Sequence, residues 1–143
     1  MKTAVVRIAF FLTCSLFPVI CLAQADSGHV RSSPAFAEIM LRKTELQSDL
    51  EAYSADYTET NPKLLDMRFE LNSLDKETER IFAVRPADAS KLTLALGKLV
   101  VRKAAIAAEL NRLSRTYNKE HPEVKRTVKK LDIFESAIKE ILR

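Results

Sequence analysis

Glycine, cysteine and histidine are each present only twice in this 143-residue chain: Gly28 and Gly97, Cys14 and Cys21, His29 and His121. Two isolated glycines exclude a glycine-rich phosphate loop and a nucleophile elbow, both of which need glycine at fixed spacing. No cysteine and histidine spacing suits zinc. Both cysteines lie in the apolar N-terminal run, so the chain beyond it has no thiol, no disulfide and no cysteine metal ligand. An exported domain of this kind is held by its core alone. The alternating apolar pattern of β-strands is absent as well. The expectation is a protein without catalytic residues, metal or cofactor.

What is present begins with an export signal. Lys2 and Arg7 precede an apolar run from Ile8 to Leu22, and Ala23-Gln24-Ala25 fits the small-x-small cleavage rule. Residues 1–25 therefore read as a signal peptide, with a membrane anchor as the alternative. The run is short for a span of about 20 apolar residues. A lipoprotein site fits poorly, since Thr13 and Ile20 precede the cysteines. The expected location is periplasmic or secreted. The formal charge of +4 falls to +2 when Lys2 and Arg7 are removed. Residues 26–34 are polar and read as a flexible lead-in, with His29 a solvated tail residue.

From residue 35 the chain repeats itself at a constant offset of sixty. Leu41-Arg42-Lys43 returns as Val101-Arg102-Lys103. Leu46, Leu50, Tyr57, Pro62, Leu64, Leu71, Leu74 and Ile81 return as Ile106, Leu110, Tyr117, Pro122, Val124, Leu131, Phe134 and Ile141. Steps of three, four and seven mark one helical stripe per unit. The helical domain, 35–143, thus divides into repeats 35–83 and 90–143. Asn61-Pro62 and His121-Pro122 interrupt the two units at the same place. A third break runs from Val84 to Ser90, with Ser90 as cap. Four helical segments are expected: 35–59, 62–83, 90–119 and 122–142.

The fold class is all-α, and two architectures fit. Each proline could start a new helix after a tight turn, giving two antiparallel hairpins in a four-helix bundle. Alternatively each unit is one helix kinked at its proline, and the two form an antiparallel coiled coil. The seven-residue steps Tyr57–Leu64 and Tyr117–Val124 keep heptad phase and favour the kink. The cost of ~3 kcal/mol for proline inside a helix favours the turn, and hairpins are the preferred expectation. The apolar stretch Leu94 to Ala108 reads as the central helix or an oligomer interface.

Residues 36–85 carry 7 basic and 11 acidic side chains, and residues 91–143 carry 13 and 6. Opposite signs favour pairing of unit one with unit two. His121 and its counterpart Asn61 read as helix caps, since both can accept a hydrogen bond at a helix start. The turn motif comprises Tyr57, Asn61, Pro62, Tyr117, His121 and Pro122. Asp75, Glu77, Glu79, Glu120 and Glu123 crowd together, yet on polar positions. Acid–base work would need a buried carboxylate. Arg112, Arg115, Lys119, Lys125, Arg126, Lys129 and Lys130 form a candidate face for an anionic partner such as lipid headgroups or acidic polysaccharide. Nucleic acid is not an expected partner.

The string Leu110-x-x-Leu113-x-x-x-Tyr117-x-x-x-His121-Pro122-x-Val124, followed by Leu131, resembles a periplasmic helical segment of the polysaccharide co-polymerase (chain-length determinant) proteins. Tyr57-Thr58-Glu59-Thr60-Asn61-Pro62-Lys63-Leu64 is a drifted copy. The resemblance implies a helical hairpin and a place in envelope or exopolysaccharide assembly. The expected function is an exported, non-enzymatic scaffold or adaptor that binds a protein partner, with homo-oligomers among its states. The alternative is a small periplasmic chaperone of the Skp-like or Spy-like type.

Overall fold

A computed structural model describes residues 28–143, so the signal-peptide expectation falls outside the described residues. All regular structure there is helical: α1 (Gly28–Arg31), α2 (Pro34–Ser54), α3 (Pro62–Phe82), a 3₁₀ segment (Pro86–Lys91), α4 (Leu94–Thr116) and α5 (Pro122–Leu142). No helix among the described residues is long and apolar enough to cross a membrane.

Both internal prolines begin helices. Asn61 and His121 hold extended ψ angles of 127° and 135°, as residues before proline must. The side chain of each accepts a hydrogen bond from the second helical N–H, Lys63 N at 2.9 Å and Glu123 N at 3.3 Å. The chain therefore turns rather than kinks, and α2–α3 and α4–α5 are antiparallel hairpins. α2, the first of the four expected segments, stops at Ser54, five residues short of expectation. Residues 55–61 are needed to reverse the chain, and the Tyr57 N–H donates back to Tyr53 O at 3.0 Å. The third segment starts at Leu94 rather than residue 90. Ser90 lies in the 3₁₀ segment, and Thr93 is the cap, accepting from Leu96 N at 3.3 Å.

Proline at the first helical position costs nothing and pre-sets the backbone. Pro122→Ala is expected to lower stability by less than ~1 kcal/mol, the value of that preorganisation. Chemical denaturation of both proteins measures the difference. A gain of ~3 kcal/mol would be the signature of a proline inside a helix.

The packing is not a square of four equal helices. α4 is the shared neighbour of α2, α3 and α5, while α2 and α3 also pack on each other. α4 is the central helix that its apolar pattern suggested. Gly97 makes this possible. A methyl group there would lie 2.9 Å from Ala35 Cα, Ala35 O and Glu38 Cβ, so α2 approaches α4 at backbone distance. The Ala35 N–H donates to Leu92 O at 3.2 Å at the same crossing. The core comprises Ile39, Leu46, Leu64, Leu74, Ile81, Leu92, Leu96, Val100 and Ile138, all buried.

Residues 28–34 correct the expectation of a flexible lead-in. Val30 is fully buried in the core. Ser33 accepts from Phe36 N and donates to Val30 O at 2.7 Å, capping α2. His29 lies 3.3 Å from Val84 O through Nε2 rather than in solvent. Composition marked this stretch as polar, but one valine and one capping serine are enough to dock it.

The repeat explains its own charge. Lys43 of α2 pairs with Asp75 of α3 at 2.5 Å, and sixty residues on, Lys103 of α4 pairs with Glu135 of α5. The same ion pair ties each hairpin across its middle. The second copy also joins the hairpins: Lys103 reaches Glu77 at 2.6 Å, and Arg80 of α3 reaches Glu135 at 3.0 Å. Arg115 of α4 pairs with Asp66 of α3. Glu77 and Asp66 of acidic unit one thus meet bases of unit two, as the charge asymmetry suggested, while Arg80–Glu135 runs the other way.

Hydrogen bonds from Arg80 and then Lys103 hold the Glu135 carboxyl down at about 2, from an ordinary value of 4.5. The folded-state value is depressed, so the stabilisation is fully present above the unfolded value and is lost as pH falls from about 5 toward 2. Glu135→Gln is expected to lower the neutral-pH melting temperature and to flatten the acid limb of the stability curve in that window. Melts at a series of pH values test this. An unchanged acid limb would remove Glu135 from the account.

Candidate functional site

The two hairpin turns lie side by side at one end of the molecule, because Asp66 near the start of α3 meets Arg115 near the end of α4. Each turn is held by local contacts. In the first, Asn61 N donates to Thr58 O at 2.9 Å, and Lys63 Nζ sits 3.5 Å from the centre of the Tyr53 ring. Tyr53 and Tyr57 rings lie 5.8 Å apart. In the second, Tyr117 leaves the helix with extended angles, and its ring stacks on His121 at 4.0 Å. Asn118 Oδ1 accepts from Glu120 N at 3.1 Å, and His121 N donates to Asn118 O at 3.1 Å. His121 thereby acts as cap and stacking partner in the turn.

Beside the second turn, side chains of α4, the turn and α5 line a cleft of about 450 Å³. Its lining is Leu110, Ser114, Val124 and Val128, with Lys119, Lys125 and Lys129 among the lining side chains. The equivalent place on the first hairpin differs for a reason legible at the sixty-residue offset. There Glu59 and Arg68 pair with each other across the turn. Their counterparts are Lys119 and Val128. Among the described residues the second hairpin has no ion pair at this place and carries an exposed valine and a lysine without an ion-pair partner instead.

The seven basic residues singled out from sequence do not form one face. Lys119, Lys125 and Lys129 gather at the cleft. Arg115 turns to Asp66 of α3, and Arg126 is held by Glu123 at 2.7 Å. Arg112 and Lys130 are exposed and do not line the cleft. Lys125 keeps a local partner, Glu120, at 2.5 Å. Lys119 and Lys129 have no ion-pair partner among the described residues.

The crowded carboxylates are occupied by cations. Asp75 and Glu77 pair with Lys43 and Lys103, and Glu120 and Glu123 with Lys125 and Arg126; Glu79 is exposed. The apolar half of the cleft was partly hidden in the sequence. The repeat places Leu110, Val124 and Leu131 on the core spine; Val124 is buried, but Leu110 and Leu131 are only half-buried. Val128, 39% exposed, was not singled out. Its signal was available: it lies four residues after Val124, on the side of α5 that Lys125 and Lys129 flank, and it replaces an arginine in the repeat.

Comparison with protein-family models, with curated proteins and with solved structures finds no match.

Proposed function

We propose that the protein is an exported, non-enzymatic helical scaffold or adaptor that docks a protein partner in envelope or exopolysaccharide assembly. The observation that carries this reading is the lysine-rimmed cleft at the second turn. An apolar floor of Leu110, Val124 and Val128 excludes water from a partner's side chain, and three lysines select acidic neighbours around it. Capped turns and a central helix with three neighbours hold that cleft in one shape, which lowers the ordering cost of binding. The export signal and the Tyr-x-x-x-His-Pro-x-Val turns support the envelope setting.

The test is site-specific photo-crosslinking at position 128 in whole cells. One discrete adduct in the envelope fraction, lost when Lys119, Lys125 and Lys129 are replaced by glutamate, is the expected result. A smear of many unrelated proteins, together with suppression of client aggregation by the purified protein, would instead mark a chaperone. No adduct at position 128 would remove the docking reading.

A further inference from the structure

The charge that the hairpin tips leave unpaired is complementary within this one sequence. Residues 49–70, the first tip, hold six acidic residues and two basic ones, Lys63 and Arg68. Residues 109–130, the second tip, hold seven basic and three acidic residues. Among the described residues, Asp66–Arg115 is the one ion pair that joins the two tips, and Glu59 and Glu70 are taken by Arg68 and Arg42. Asp49, Glu51 and Asp56 are exposed and have no ion-pair partner among the described residues. The same holds for Lys119 and Lys129.

Shape follows charge. Tyr57 stands on the first turn, 49% exposed, directly after Asp56, and Leu65 in the first turn of α3 is 38% exposed. An aromatic ring flanked by acids is the complement of an apolar cleft flanked by lysines. The tips cannot satisfy each other within one chain, because both point out of the same end and the cleft lies along α4 and α5. A second molecule approaching end-on can satisfy both. With a two-fold axis beyond that end, the acidic tip of each copy meets the basic cleft of the other, and two identical contacts close the assembly.

We propose that the occupant of the cleft is a second copy of this chain, whose Tyr57 and Asp56 enter between Lys119, Lys125 and Lys129, giving a tip-to-tip dimer. This rests on the reading of the cleft as a protein-docking site. The contact is charge-led, so it strengthens as salt falls: charges reach ~30 Å at about 0.01 M salt and ~3 Å at about 1 M.

Charge reversal tests it with purified protein alone. One variant carries Lys119→Glu, Lys125→Glu and Lys129→Glu, making both tips acidic. The other carries Asp49→Lys, Glu51→Lys and Asp56→Lys, making both basic. Sedimentation equilibrium of the wild type at low salt is expected to give twice the mass of one chain, falling to one chain at high salt. Each variant alone is expected to stay at the mass of one chain, and their equimolar mixture to return to two. Circular dichroism confirms that each variant folds. Should one not fold, Tyr57→Ala takes its place, with the expected loss of the dimer at low salt. A wild type that remains single throughout a low-salt, micromolar-to-millimolar series overturns the proposal. So does a variant that dimerises alone, a mixture that stays at one chain, or growth beyond two chains. Crosslinking at position 128 to a different envelope protein is untouched by any of these results, so the docking reading can survive failure of the dimer.

Discussion

Replacement of Leu74 by aspartate is expected to abolish the fold. Leu74 has no exposed surface and sits on α3 in the core cluster shared with α2 and α4. Truncating a buried leucine already costs ~2–5 kcal/mol. An uncompensated charge at the same place adds several kcal/mol more. The sum is comparable to the ~5–15 kcal/mol that holds an ordinary domain together. Far-ultraviolet circular dichroism should show loss of helix at room temperature. Phe134 occupies the equivalent position in the second hairpin but is only half-buried on α5. Phe134→Asp should therefore lower the melting temperature without removing the transition. Equal melting temperatures for Leu74→Asp and wild type would refute the central packing of α2, α3 and α4.

Gly97 is the site of the second large effect, and its sign is the informative part. On an exposed helix, alanine in place of glycine stabilises by about 1 kcal/mol. Here the added methyl would stand 2.9 Å from the backbone of Ala35 and from Glu38 Cβ. Backbone atoms cannot rotate away, so α2 must shift off α4. Overpacking of this kind costs ~1–3 kcal/mol, which outweighs the propensity gain. Gly97→Ala is expected to be destabilising by about 1 kcal/mol, and Gly97→Val by considerably more. Denaturant melts of the pair give the order directly. A stabilised Gly97→Ala protein would show that the two helices do not meet at backbone distance.

The all-α class, the two proline turns, the caps at Asn61 and His121 and the central role of α4 were legible in the sequence. Each rests on short-range chemistry. Proline forbids a particular hydrogen bond, asparagine and histidine supply a particular acceptor, and helical periodicity is set by 3.6 residues per turn. The docking of residues 28–34 was not legible, because one buried valine does not register in a polar composition. The position of the cap before α4 was lost for a similar reason. Ser90 and Thr93 both offer a hydroxyl acceptor, and Ser90 is taken up in the 3₁₀ segment, which leaves Thr93 as the cap.

The basic cluster shows where linear reading stops. Seven cations in one stretch look alike in sequence. Only the acidic partners each one meets, on α3, in the turn or on α5, and the cleft at the second turn divide them into ion pairs and cleft rim. Duplication compounds this. The two units share a spine, yet hairpin one is covered by α4 while hairpin two carries α5 on one side of α4. Equivalent residues such as Leu74 and Phe134 therefore end in different surroundings. Local chemistry, carried by neighbours along the chain, determined the helices and their turns. Which apolar residues became core and which became cleft depended on contacts between segments dozens of residues apart, and those exist only once the hairpins have packed.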